Sequence, residues 1–229
     1  MNSREFQTYK ARYRAAIRKV LAEAEPGRLD EAAFPAYSHP NPLINWLFWQ
    51  RLGIVMKHVQ RTAPYERVLD FGCGSGVMLP FLAEHSIHVI AVDIDLIPLE
   101  RVQKHVSFPA NVEVFDANQA SISQLLPKSC DIIVALDVLE HVDDLPHTLG
   151  DLLDLLKPDG QLIVSCPTEN ILYQIGRRLA GPEYSGAYHE RGIAEIKREL
   201  IRASRVTRLQ RIATLYWPVP LFEIFTAKV

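Results

Sequence analysis

Carboxylates and glycines at the ends of apolar runs are where this chain could do chemistry. In Val68-Leu69-Asp70-Phe71-Gly72-Cys73-Gly74-Ser75-Gly76 a short apolar run meets an acid and then three glycines at alternate positions. That pattern predicts a buried strand turning sharply into a helix beside a nucleotide-like ligand. Glycine lets the main chain come close to the ligand and take a positive φ, and the start of a helix offers unpaired N–H groups. A dinucleotide fingerprint would place its third glycine at position 77, where the chain has Val77. Further acids follow at regular strand ends. Asp93 closes Ala91-Val92-Asp93-Ile94-Asp95 and suits acceptance from two ribose hydroxyls; Asp116 closes Val112-Glu113-Val114-Phe115-Asp116-Ala117 and suits an exocyclic adenine amino group. A fourth run passes through Ala135-Leu136 into Asp137-Val138-Leu139-Glu140-His141. A fifth turns at Leu155-Leu156-Lys157-Pro158-Asp159-Gly160 into Gln161-Leu162-Ile163-Val164-Ser165.

The elements that must position these residues follow from hydrophobic spacing. Phe6, Tyr13, Ile17, Val20 and Ala24 predict an amphipathic helix from residue 3 to about 25, stopped by Pro26-Gly27. A connector rich in Pro, Asn and His leads to a second helix over about 42–62 with Trp46, Phe48 and Trp49 near its start, closed by Pro64. Strands are predicted at 66–71, 87–92, 111–115, 130–136 and 160–166, with helices near 75–85, 96–105, 119–126 and 145–156. Repeated strand–helix units predict a parallel sheet covered on both faces. Their strand ends lie along one edge, where ligands bind at the switch in strand order. A helix at 189–203 and two strands at 205–217 and 221–229 complete seven strands, the last pair a hairpin.

Composition narrows the function classes. A chain of 229 residues with 48% hydrophobic content can bury a core, and a net charge of −2 implies no obligatory nucleic-acid or membrane partner. No run of 18 uncharged apolar residues and no apolar signal core after Met1 is present, which predicts a cytoplasmic protein without a transmembrane segment. Cys73, Cys130 and Cys166 are too scattered for a metal site and read as buried thiols. Basic residues concentrate in the first helix and after residue 177, where they make solvated faces or frame the mouth of a site for an anionic substrate.

Residues 66–170, with VLDFGCGSG, AVDID, DVLEHV and LLKPDGQLIVS in order, resemble the class I S-adenosylmethionine-dependent methyltransferases of small-molecule type. Asp159 stands where most of that family has a glycine, a minor departure because Asp also suits turns. The resemblance implies a Rossmann-like α/β fold with a seven-stranded mixed sheet, its last strand antiparallel, and S-adenosylmethionine as cofactor. Residues 1–62 would form an N-terminal helical cap or lid, and 63–229 the cofactor-binding domain as one globular unit. Gly72, Cys73, Gly74 and Gly76 would pass beneath the methionine part, with Asp70 near its ammonium. Asp93 and Ile94 would hold the ribose side, Asp116 and Ala117 the adenine edge, and Asp137 and Val138 the region of the sulfonium. Asp95 fits better as a cap on the following helix.

Methyl transfer from a sulfonium needs mainly in-line alignment, and a hydroxyl nucleophile also needs a base, for which His is suited near neutral pH. His141 and His189 are the candidates. The expected acceptor is a small or lipid-linked, anionic molecule methylated at oxygen. Tyr37, Trp46, Glu169, Asn170, Arg177 and Tyr188 are the expected acceptor contacts, all outside the motif-bearing core; Trp49 fits packing as well as a lid. No Asp/Asn-Pro-Pro-Tyr signature follows the fourth strand, which makes nucleic acid an unlikely partner. An RNA- or protein-modifying enzyme and a non-catalytic cofactor-binding scaffold are the rival readings, and no metal is expected.

Overall fold

The computed structural model of the chain describes residues 2–23, 37–39, 41–119, 121–168, 192–215 and 222–229. Helix α1 spans Ser3–Glu23. It opens on a capping box: the Glu5 N–H donates to Asn2 Oδ1 at 3.0 Å and the Glu5 carboxylate accepts from the Asn2 N–H at 2.7 Å. Helix α2 spans Pro42–Thr62 and buries Trp49, Leu52, Val55, Met56 and Val59 along one stripe. Then follow β1 (Tyr65–Phe71), α3 (Leu79–Glu84), β2 (Ser86–Asp93), α4 (Ile97–Gln103), β3 (Val112–Asp116), β4 (Cys130–Leu136), α5 (Leu145–Leu155), β5 (Leu156–Pro167), α6 (Ile193–Arg202), β6 (Arg208–Leu215) and β7 (Phe222–Lys228).

Among the described residues the strands form a seven-stranded sheet in the order β3-β2-β1-β4-β5-β7-β6. Strands β1 to β5 pair in parallel, and β7 lies antiparallel to both β5 and β6. The fold is therefore a Rossmann-like mixed sheet with an antiparallel last strand. Side chains alternate between two cores, as strand geometry requires. Val68, Ile132, Val134, Ile163 and Ile224 pack with α1, α2, α3 and α4 on one face. Leu69, Ile133, Ala135, Leu162, Val164 and Phe225 pack with α5 and α6 on the other. A sheet buried on both faces explains why β4 reads as a continuous apolar run. Strand order reverses between β1 and β4, so the crevice outside their carboxyl ends is where a ligand would lie.

Three expected elements differ. The helix expected over 75–85 begins only at Leu79, because the glycine turn runs on to Gly76 at φ +74° and Pro80 fixes the first helical turn. The helix expected over 119–126 is a single 3₁₀ turn, Ile122–Gln124, started by Ser121 Oγ accepting the Ser123 N–H. Strand β5 begins at Leu156 rather than 160. Its Lys157–Gly160 segment bulges out, since Cys130 pairs with Leu156 and Ile132 with Gln161, with Asp159 at φ +65°.

Candidate active site

The glycine turn is built by β1 and held by β2. The N–H groups of Gly72 and Cys73 both donate to the Val92 carbonyl, at 2.8 and 3.0 Å, and the Gly74 N–H donates to Asp93 Oδ2 at 2.7 Å. Gly72 has φ +73°, and a Cβ there would fall 2.4 Å from Val138 Cγ2. A side chain at 72 is thus excluded by backbone conformation and by the residue following β4, which brings the first and fourth motifs into contact. Ser75 Oγ is buried with no hydrogen-bond partner among the described residues, the kind of orphan that a polar ligand or water satisfies.

Asp93 and Asp116 end neighbouring strands and face each other in register. Both Asp93 oxygens accept main-chain donors, from Gly74 and from Asp95 at 3.1 Å. A carboxylate has about four acceptor sites, so capacity remains for two hydroxyls. Asp116 accepts from the Asn118 N–H and side chain at 2.9 and 3.2 Å and from Gln119 Nε2 at 2.8 Å. The Asn118 amide also donates to the Ile94 carbonyl, and the Ala117 N–H to the Asp93 carbonyl at 2.9 Å, which fixes the two strand ends together. Ile94 is 71% exposed beside them. Asp95 Oδ1 accepts the Ile97 N–H at 3.0 Å just ahead of α4, but the cap position itself is Leu96, which provides no side-chain cap.

Asp70 lies at the end of β1, fully inside the protein. Burial, reinforced by the charge of Asp93, pushes its carboxyl up to about 7. Asp137 follows β4 in a left-handed conformation, φ +55°, where Asp is tolerated. Its N–H donates to the Ser165 carbonyl at 2.8 Å and its Oδ1 accepts from Ser165 Oγ at 3.1 Å, tying the ends of β4 and β5.

Arg51 is the site residue that sequence reasoning missed. It is 1% exposed, projects from α2, pairs with Asp137 Oδ2 and donates to the Tyr37 hydroxyl at 3.2 Å. Its guanidinium lies 5.1 Å from the ring centres of both Phe48 and Phe222, a stacked arrangement arginine favours. Tyr37 is buried, its carbonyl accepting from Asn45 Nδ2 at 2.5 Å and Trp49 Nε1 at 3.1 Å. Trp49 is buried core; Trp46 is 43% exposed. The signal for Arg51 was a lone cation on the apolar stripe of α2.

His141 sits exposed on the 3₁₀ turn Leu139–His141, its N–H bonded to the Val138 carbonyl at 3.0 Å. The expected contacts His189, Glu169, Asn170, Arg177 and Tyr188 lie outside the described residues. All three cysteines are buried and unbridged. No cluster of three or more metal-ligating side chains occurs among the described residues, and no helix there is long and apolar enough to cross a membrane.

Comparison with known proteins agrees with this geometry. A family model described as "Methyltransferase domain" matches residues 8–220. A ubiquinone biosynthesis O-methyltransferase of Pseudomonas fluorescens is 29% identical over 206 residues, 88% of this chain and 82% of the relative. A second, from Pseudomonas entomophila, is 28% identical over 203 residues with the same coverage. Among solved structures, the N-methyltransferase NodS from Bradyrhizobium japonicum, in complex with S-adenosyl-L-homocysteine, superposes with a TM-score of 0.59 at 16% identity, over 94% of this chain and 97% of that one. The glycine turn, the paired strand-end acids and a family match over most of its length place the chain in the methyltransferase-domain family, as a class I S-adenosylmethionine-dependent methyltransferase.

Proposed function

We propose that this enzyme methylates an oxygen atom of a small, lipid-linked acceptor. The observation that carries the reading is the likeness, over 88% of the chain, to relatives named as ubiquinone biosynthesis O-methyltransferases. In support, Phe48, Phe222 and Tyr37 make an aromatic wall around Arg51 beside Asp137, chemistry suited to an apolar acceptor carrying an anionic or ionisable oxygen.

The residues present fit the cofactor. Positive φ at Gly72, Gly74 and Gly76 makes a shallow cradle, Asp93 and Asp116 keep acceptor capacity for hydroxyl and amino donors, and Asp70 and Asp137 can face an ammonium. Bound there, S-adenosylmethionine supplies an activated methyl group on sulfur, and the protein's task is to align the acceptor oxygen with it. The acceptor proton goes to His189 or His141. Helices α1 and α2 serve as the cap over this edge.

The test incubates the enzyme with S-adenosylmethionine and a panel of prenylated and unprenylated phenols, catechols and carboxylated analogues, with methylation read by mass spectrometry. O-methylation of a prenylated phenol is expected, with His189→Ala or His141→Ala lowering kcat by about 10²-fold or more while leaving cofactor affinity unchanged. Turnover confined to RNA or protein acceptors would overturn the acceptor reading.

A further inference from the structure

The glycine turn is held from two sides, and the second side lies far away in sequence. Strand β2 fixes its first half through the Val92 carbonyl and the Asp93 carboxylate. Its second half is met by α1. The Tyr13 hydroxyl donates to the Gly76 carbonyl at 2.5 Å and the Tyr9 hydroxyl to the Val77 carbonyl at 2.6 Å. One helical turn apart on α1, the two phenols reach adjacent carbonyls, their rings stacked at 5.6 Å.

Packing alone would be served by phenylalanine. A buried hydroxyl is costly unless it is bonded, and here both are bonded to the same short segment. Burial raises both phenols, so each stays a protonated donor across the working pH range. The Gly76 carbonyl also accepts the Leu79 N–H at 3.1 Å, and the Gly76 N–H donates to the Cys73 carbonyl at 2.8 Å. Helix α1 is itself seated at both ends. Phe6 fills the notch at Gly53 of α2, where a Cβ would lie 3.0 Å from its ring, and Glu23 at the other end lies 3.6 Å from His105.

We propose that Tyr9 and Tyr13 are positioning residues that brace the turn in its cofactor-receiving form, so that cofactor binding and the docking of α1 are coupled. The proposal rests on the reading that this turn holds the cofactor. Because coupling is reciprocal, ligand in the turn tightens α1, and loosening α1 weakens the ligand. Neither tyrosine touches the reacting atoms.

The test titrates the full chain with S-adenosylhomocysteine by calorimetry, in the unaltered protein and in Tyr9→Phe, Tyr13→Phe and the double variant, which keep the rings. Tyr13→Phe is expected to weaken binding about tenfold, and the double variant more. Thr8→Ala, on the exposed face of the same helix, is expected to leave it unchanged. Amide hydrogen exchange supplies the readout that a merely structural role would not move. In the unaltered protein the ligand is expected to slow exchange in residues 9–20 as well as 72–78, and in the double variant only in 72–78. Equal affinities within twofold, or ligand protection that stops short of α1 in the unaltered protein, would overturn the coupling. Absence of any binding by the unaltered protein would instead overturn the assignment of the turn as the cofactor site, and the brace with it.

Discussion

The Asp70 carboxylate sits in surroundings far from those of water, buried at the end of β1. Burial and the neighbouring Asp93 hold its carboxyl at about 7, against 3.8 for the free group. A raised acid binds more protons folded than unfolded between those values, so it costs stability as pH rises from about 4 to about 7. A cationic ligand favours the ionised form and should reverse that cost. Cofactor binding is therefore expected to release a proton and to weaken as pH falls below about 7, measured by titration in buffers of different ionisation enthalpy. Asp70→Asn should raise the unfolding free energy of the ligand-free protein at pH 8 by about 2 kcal/mol while weakening S-adenosylhomocysteine binding. A variant that gains neither stability nor loses affinity would mean the carboxylate does not face the ligand. At Asp93 the expectation is simpler. Asp93→Ala removes the proposed ribose acceptor and the anchor of the Gly74 N–H, and should cost about 1–3 kcal/mol of cofactor affinity. An unchanged dissociation constant would reassign the ribose.

Among the elements, the sequence foretells those whose signal is local. Strands β1, β2 and β4 are legible within a residue or so, because a strand buried on both faces needs an uninterrupted apolar run. Strand-end acids are legible because an acid ending such a run has little packing purpose. Helix α3 is overestimated, since apolar periodicity continues through Gly76 and Val77 although the backbone at Gly76 is left-handed. Arg51, Tyr9 and Tyr13 are illegible for a different reason: their partners lie 86, 68 and 63 residues away. An aromatic at helical spacing reads as core until the carbonyl it meets is known. For Arg51 the structure sets a definite expectation. Arg51 is buried and Asp137 only partly so, so removing the cation strands a partly solvated carboxylate and Arg51→Ala should cost about 1–3 kcal/mol in urea unfolding. Arg51→Met with Asp137→Asn should cost less than Arg51→Ala, because no charge is then left alone. A double variant no more stable than Arg51→Ala would mean that packing of the guanidinium between Phe48 and Phe222, not its charge, dominates.

Across the whole molecule, the acids of the crevice and a second polar tie lie at opposite edges of the sheet. The carboxyl ends of β1, β2, β3 and β4 carry Asp70, Asp93, Asp116 and Asp137. At the amino ends, Asp131 accepts from the Glu66 and Arg67 N–H groups at 2.7 and 2.8 Å and from Lys157 Nζ at 2.8 Å, and Lys157 reaches Glu66 at 2.6 Å. This tie joins the starts of β1, β4 and β5 in the middle of the sheet. Burial alone would raise the Asp131 carboxyl, but the Lys157 hydrogen bond and the two main-chain donors outweigh it and hold it below the usual 3.8. A lowered acid contributes stability that is complete above the unfolded value and disappears as pH falls through the folded one. Lys157, raised by Asp131 and Glu66, contributes below its unfolded value of 10.5 and loses that contribution as pH climbs past the folded one. Between those limits the tie is constant. Asp131→Asn should therefore lower the melting temperature at pH 7, and the difference from the unaltered protein should shrink as pH falls below 3.8 and the Asp131 carboxylate takes up its proton. Because the tie sits at the edge away from the crevice, the same variant should bind S-adenosylhomocysteine with unchanged affinity. A loss of affinity matching the loss of stability would show that the two edges are mechanically linked through the strands.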